Sequence, residues 1–266
     1  MQSTTRPAAV AGLFYPAAPA ALRRLVAHEL AAAADDAGPA RPERPKLLIA
    51  PHAGYVYSGA VAARAYARLG DASGIERVVL LGPAHRVAVR GLAAPEALAF
   101  ETPLGEVQVD HAALAELDAL PHVLRSDPAH AEEHSLEVHL PFLQELLGQD
   151  FRLVPLVVGC AGAEAVAWVL ELLWGDARTL VVISSDLSHY LPYARAQAAD
   201  RATAQRILAL DAGLSPHEAC GAAAINGALL VARRQGLAPQ LIDLRNSGDT
   251  AGDKARVVGY GAFEFS

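Results

Sequence analysis

The sequence predicts an α/β protein with one largely parallel sheet and helices on both faces. Short apolar runs alternate with stretches of helical periodicity, the pattern of repeated βαβ units. Two of these runs stop at Pro and His, LLIAPHAG at Leu47–Gly54 and RVVLLGPAH at Arg77–His85. Buried strands end this way when they hand a polar side chain to a loop. With 266 residues and 53% hydrophobic content, the chain can bury a sizeable core.

Arg6–Pro19, rich in Pro and Ala, reads as an extended lead-in pinned to the body by Leu13, Phe14 and Tyr15. From Pro19, residues Leu22, Leu25, Val26 and Leu30 form the apolar stripe of a helix. Asp35–Pro45, with Gly38 and three prolines, reads as a linker. After the strand that ends at His52, Ser58 is expected to cap a helix through Leu69. Between His85 and Asp110, Gly91, Pro95, Pro103 and Gly105 punctuate short strands. Helical spacing returns at His111–Leu120 and runs longer over Ala129–Leu147, where Pro141 must kink the helix or start a new turn.

A buried strand at Arg152–Val158 and a helix at Ala163–Trp174, closed by Gly175, come next. A strand at Thr179–Ile183 then runs into the polar cluster SSDLSHY. Helices at about Ala194–Leu210 and Ala222–Gln235 flank a loop carrying Cys220, and two strands close the chain near Gln240–Leu244 and Arg256–Phe263. No internal repeat or low-complexity linker divides the chain, so residues 1–266 are expected to form a single domain.

Composition narrows the function. A formal charge of −7 without a Lys/Arg block leaves no electrostatic footprint for nucleic acid or an anionic membrane. No segment approaches the roughly 20 apolar residues that span a bilayer, and Pro7, Pro16 and Pro19 interrupt any apolar core of a leader. Two cysteines, Cys160 and Cys220, fit a reducing compartment better than a disulfide scaffold. The expectation is a soluble, cytoplasmic protein with a small-molecule or peptide ligand. Phosphate-binding, dinucleotide and nucleophile-elbow motifs are absent from the sequence.

In open α/β sheets, ligands bind beyond the carboxyl ends of the strands. His52, His85, Asp186 and His189 fall at that edge, and the loop with Cys220 can reach it. Imidazole suits zinc, iron or copper, and thiolate shifts preference toward softer metals. Two His and one Cys leave open coordination positions, as a catalytic metal needs. Plainer roles stand beside these. A strand-end His can merely close its loop, Asp186 can cap a turn after Ser184 and Ser185, and Cys220 before Gly221 can serve close helix packing. Cys160 reads as a small buried side chain. His130, Glu133 and His134 match the H-x-x-E-H order of an inverted zinc peptidase, against the bland reading of a polar helix start after Asp127-Pro128. His134 and His139 point to a polar helix face turned toward the crevice.

Together, GLFYP at Gly12–Pro16, APHAGYVYSG at Ala50–Gly59, LGPAH at Leu81–His85, EHSLEVHLPF at Glu133–Phe142 and SSDLSHY at Ser184–Tyr190 resemble the Memo family. Its bacterial and archaeal members are named AmmeMemoRadiSam system protein B. The resemblance implies a fold like the catalytic subunit of class III extradiol dioxygenases, which place non-haem iron at the edge of an α/β sheet. It implies His52 and His85 as metal ligands, with Cys220 in the third position where the dioxygenases use a carboxylate. Asp186 and His189 then stand beside the metal, and His134 lines the same cavity. The metal implied is Fe(II) or copper, with zinc as a further candidate, and the partners implied are a radical S-adenosylmethionine protein and an Ammecr-type protein. The chain departs from the family pattern where Gly221 is followed by three Ala, and where Arg86 replaces a second His.

Two functions follow from these readings. One is a redox-active, dioxygenase-like metal protein in which His189 or His134 serves as acid or base, assisted by Asp186. For His189, the adjacent carboxylate is expected to orient the ring and favour its protonated form. The other is a non-enzymatic peptide-binding or scaffold module that keeps the fold without the chemistry.

Overall fold

The computed structural model describes residues 4–36 and 44–266. Its first half contains β1 (Thr5–Arg6), α1 (Pro19–Asp36), β2 (Leu47–Ala50), α2 (Tyr55–Ala67), β3 (Arg77–Pro83), β4 (Leu92–Ala94), β5 (Ala99–Thr102), β6 (Gly105–Gln108), α3 (His111–Glu116) and β7 (Val123–Arg125). Three short helices follow, α4 (Asp127–Ala131), α5 (His134–Glu137) and α6 (Leu140–Leu147). The remainder is β8 (Arg152–Val158), α7 (Ala163–Leu172), β9 (Thr179–Ser184), β10 (His189–Leu191), α8 (Tyr193–Leu208), α9 (Ala222–Gln235), β11 (Pro239–Asn246), α10 (Ser247–Thr250) and β12 (Val257–Phe265).

The large sheet has the order β10-β12-β2-β9-β3-β8-β4-β7, with β11 paired to β12. Its centre, β2-β9-β3-β8, is parallel, and β12 and β4 join it antiparallel on either side. Every residue of β2 and β9 is buried, as is β3 beyond Arg77. These Leu, Val and Ile side chains are worth roughly 1.5–3 kcal/mol each when fully buried, so the centre of the sheet is the rigid part of the molecule. The chain leaves β2 through α2 to reach β3 and returns from β8 through α7 to β9, moving in opposite directions across the sheet. Right-handed crossovers put such helices on opposite faces. Accordingly, α2 packs on β2, β11 and β12, while α9 packs on β3, β9 and α7. The expected α/β class with helices on both faces is what the chain adopts. A small sheet, β1-β5-β6, gathers part of the lead-in.

Several local expectations are corrected. The helix after His52 begins at Tyr55 with Gly54 as its cap, so Ser58 lies inside the first turn and donates to Ala53 O at 3.0 Å. Ala129–Leu147 is not one kinked helix. It breaks twice, around Glu133 and His139, and of the two readings of Pro141 the new turn holds: it sits in the first turn of α6, where its missing N–H costs nothing. Leu13 is 83% exposed and pins nothing, whereas Tyr15 is buried. Cys160 is exposed, because it lies beyond the end of β8. The proposed linker falls largely on residues 37–43, outside those described, and Asp35 and Asp36 are the last residues of α1.

Two glycines let backbone reach the site. A Cβ on Gly82, near the end of β3, would meet Ser135 Oγ at 2.8 Å, so only Gly admits α5 against the strand. One on Gly221 would meet Ser184 O at 2.6 Å, so Gly221 lets the Cys220 loop lie on the end of β9.

Candidate metal centre

β2 and β9 are adjacent parallel strands from which the chain leaves in opposite directions along the sheet, β2 toward β3 and β9 toward β10, which makes the gap beyond their carboxyl ends a topological switch point. His52 stands there as a consequence of sequence: the apolar run stops at Pro51, and the ring remains 2% exposed under the surrounding loops. Its backbone N donates to Asp186 Oδ1 at 2.9 Å, and its Nδ1 contacts Ser184 Oγ at 2.6 Å. His85 occupies the equivalent place after β3, open to the crevice, with Nδ1 2.9 Å from Glu133 Oε1. His134 opens α5 and stacks on His85 with ring centroids 4.7 Å apart and planes 22° apart, with Phe14 against it at 4.7 Å.

His52, His85 and His134 thereby bring one ring nitrogen each within 4.8 Å of the others, a cluster that could hold a metal ion. The donors suit that use. Burial, followed by the neighbouring imidazoles, pushes His52 well below the usual histidine range, and burial brings His134 down to about 4. Both rings are neutral at pH 7 and offer lone pairs. The His134 Nδ1 is buried without a hydrogen-bond partner, an unsatisfied group of the kind that a bound ion resolves.

Cys220 adjoins this set without completing it. Its Sγ lies 3.4 Å from His52 Nε2 and accepts from Asp186 N at 3.3 Å, yet the mutually close ligand atoms are the three imidazoles. Burial, then the Asp186 carboxylate, pushes its thiol up to about 12. Asp186 itself is buried and is pushed up to about 7, so it can carry a proton near neutrality. Its Oδ2 stands 4.0 Å from His52 Nε2, a contact with a neutral ring and not an ion pair.

His189 lines the crevice, but the expected carboxylate does not orient it. Its Nδ1 is 2.8 Å from Leu187 O, and burial lowers its pKa, so the ring favours the neutral form. The H-x-x-E-H reading fails on geometry: His130 lies on α4 and His134 on α5, and His130 Nε2 contacts Ala93 O at 3.0 Å. His139 is buried against Tyr66, with Nδ1 2.9 Å from the phenol oxygen, and does not line the crevice.

Sequence reasoning missed Glu133 as part of this site. Its side chain is 1% exposed and accepts from His85 N, the His85 ring and Ser135 N. Burial alone would raise its pKa, but those hydrogen bonds bring it down to about 2. Missed as well was the anchor behind it, where Arg6 forms a buried ion pair with Glu137 and donates to Glu133 O at 2.6 Å. The signal in the sequence was the place of Glu133 in the H-x-x-E-H match, directly before His134.

The crevice holds about 750 Å³. Its walls include Leu13, Phe14, Val56, Tyr57 and Tyr190, and its rim carries Arg86 and Arg256. No helix among the described residues is long and apolar enough to cross a membrane.

The family model described as Memo-like protein matches residues 6–264. A MEMO1 family protein of Methanopyrus kandleri is 37% identical over 280 residues, covering 98% of each chain. One of Ignicoccus hospitalis is 38% identical, also over 98% of each. A crystal structure of an uncharacterized protein of Escherichia coli K12 is similar with a TM-score of 0.51 at 15% identity, covering 82% of this chain and 99% of its own, a likeness of fold alone.

Proposed function

The chain belongs to the Memo family, and from that premise we propose that it is a metal-binding protein whose crevice carries redox chemistry on a small-molecule or peptide ligand. The observation that carries this reading is the convergence of three imidazole donors at a strand-end switch point. In the proposal His52, His85 and His134 hold the ion, and Cys220, beside His52, supplies a softer donor once its proton is lost. Nitrogen donors with an adjacent thiol favour Fe(II) or copper, with zinc a weaker fit to a redox role. The bound metal would supply an open coordination position for oxygen and substrate, as in the dioxygenases whose fold the family resembles.

The chain's own groups would do the rest. Asp186, titrating near 7, can hold or release a proton beside the cluster. His189 donates through Nδ1 to Leu187 O, which leaves Nε2 to accept a proton from a bound ligand. Phe14, Tyr57 and Tyr190 would pack the ligand's apolar part and exclude water.

The exposed Leu13, Val56 and Tyr190 on the same walls favour a second reading, a binding module without turnover that works with radical S-adenosylmethionine and Ammecr-type partners in the cytoplasm. Anaerobic purification without a tag, metal analysis and oxygen uptake with candidate ligands test both. Stoichiometric iron or copper with oxygen consumption supports the first reading, ligand binding without oxygen consumption supports the second, and absence of any metal uptake overturns the first.

A further inference from the structure

His85 sits on an exposed loop, where an imidazole would ordinarily choose freely between its two tautomers and several rotamers. We propose that Glu133 is the positioning residue of the cluster: its carboxylate holds the His85 proton on Nδ1 and so turns Nε2 of that ring toward His52 and His134. The proposal rests on the metal-binding reading above and extends it to a residue outside the ligand set.

The geometry is that of a clamp. Glu133 Oε2 accepts from the His85 backbone N at 2.6 Å, and Oε1 lies 2.9 Å from His85 Nδ1. One carboxylate therefore fixes both the main chain and the ring of the same residue. An ionised carboxylate only accepts hydrogen bonds, so the proton of the ring contact must lie on Nδ1. Nε2 is then left as the lone-pair nitrogen, the arrangement by which outer carboxylates commonly orient metal-binding histidines.

The clamp is itself held. Glu133 caps α5 by accepting from Ser135 N at 2.9 Å, and its carbonyl accepts from Arg6 Nη2. Arg6 also donates to His130 O at 2.9 Å and pairs with Glu137, so the lead-in strand ties the segment from 130 to 137 at three points. His134 differs from His85. Its Nδ1 lies 3.3 Å from Glu133 Oε1 but makes no hydrogen bond there. Glu133 thus sets one imidazole and leaves its neighbour free to turn onto a ligand.

The test reads the ring before it reads the metal. Long-range proton–nitrogen NMR of metal-free, nitrogen-15-labelled protein at pH 8 reports the His85 tautomer, assigned by the signal lost in His85→Gln. The expected result is a protonated Nδ1; a proton on Nε2 in the wild-type protein overturns the proposal. Glu133→Gln should shift that tautomer toward a mixture and weaken Co(II) affinity by about 10- to 100-fold. Unchanged affinity in a folded variant overturns the positioning role. So does weakened affinity with an unchanged ring signal, which would assign the effect to lost charge. If Glu133→Gln does not fold, the wild-type ring signal alone decides. If the wild-type protein takes up no cobalt, the metal reading fails, while the tautomer still judges the clamp.

Discussion

Ser184 Oγ and His52 Nδ1 lie 2.6 Å apart, and the same hydroxyl donates onward to Ser135 O at 2.6 Å. A hydroxyl has one proton to give. Because the Ser135 carbonyl receives it, Ser184 must accept from His52, whose proton is thereby placed on Nδ1 and whose Nε2 faces the cluster as a lone pair. Ser184→Ala should therefore leave His52 free to change tautomer and weaken metal affinity by about 10-fold, measured by calorimetric titration of the metal-free protein. An affinity equal to the wild type would remove Ser184 from the design of the site.

His52→Ala and His85→Ala are expected to abolish stoichiometric metal binding while preserving cooperative unfolding in urea. The costs differ because the surroundings differ. His52 is enclosed and hydrogen-bonded, so its loss should cost about 1–3 kcal/mol. His85 lies open to solvent, and Glu133 keeps two backbone donors without it, so the cost should fall near 1 kcal/mol. Non-cooperative unfolding of either metal-free variant would make the cluster a structural element.

Cys220→Ser removes the softest donor near the cluster. If the sulfur binds, preference should move away from copper toward harder ions, read as a changed ratio of copper to Fe(II) affinity. If the three imidazoles alone bind, the ratio will not move, and Cys220 then serves local hydrogen bonding with Asp186 and Ser185.

His189→Gln should keep metal stoichiometry and change oxygen-dependent turnover or ligand affinity. Its Nδ1 is engaged by Leu187 O, so only Nε2 can act on a ligand, and a glutamine keeps a polar end without titrating. Loss of the metal in this variant would make His189 a ligand.

The two strand-end histidines were legible in the sequence because buried strands are short, apolar and abruptly terminated, and both of these end in Pro and His. The edge they share follows from the parallel order alone. His134 was legible as a cavity residue and acid or base candidate, and Glu133 only within the H-x-x-E-H match, for a physical reason. Leu136, Leu140, Leu143 and Leu147 repeat with helical spacing straight through two breaks, so periodicity reports one helix where the chain turns twice. Those turns are set by contacts distant in sequence, Arg6 to Glu137 and Gly82 to Ser135, which no local pattern reveals. Cys160 was misread for a related reason, since a residue after a buried strand can point either way, and the end of β8 leaves it in solvent.

His139 offers a measurement independent of any metal. It is fully enclosed, and burial brings its pKa down to about 3, against an ordinary value near 6.5 in the unfolded chain. The folded state therefore resists a proton that the unfolded state accepts. The stabilising contribution is complete above pH 6.5 and is lost as pH falls from there toward 3, because the unfolded chain binds the extra proton throughout that window. Each such group adds about 1.4 kcal/mol of slope per pH unit. His130, brought to about 4 chiefly by burial, acts in the same direction over the upper part of the window. Urea unfolding of the metal-free protein between pH 7 and 5 should consequently show stability falling with acid. His139→Asn keeps a polar atom near the Tyr66 hydroxyl but cannot titrate, so its stability should fall less steeply by about one proton. An identical slope in the variant would mean that His139 charges freely in the folded protein, and that the pocket around Tyr66 opens to water.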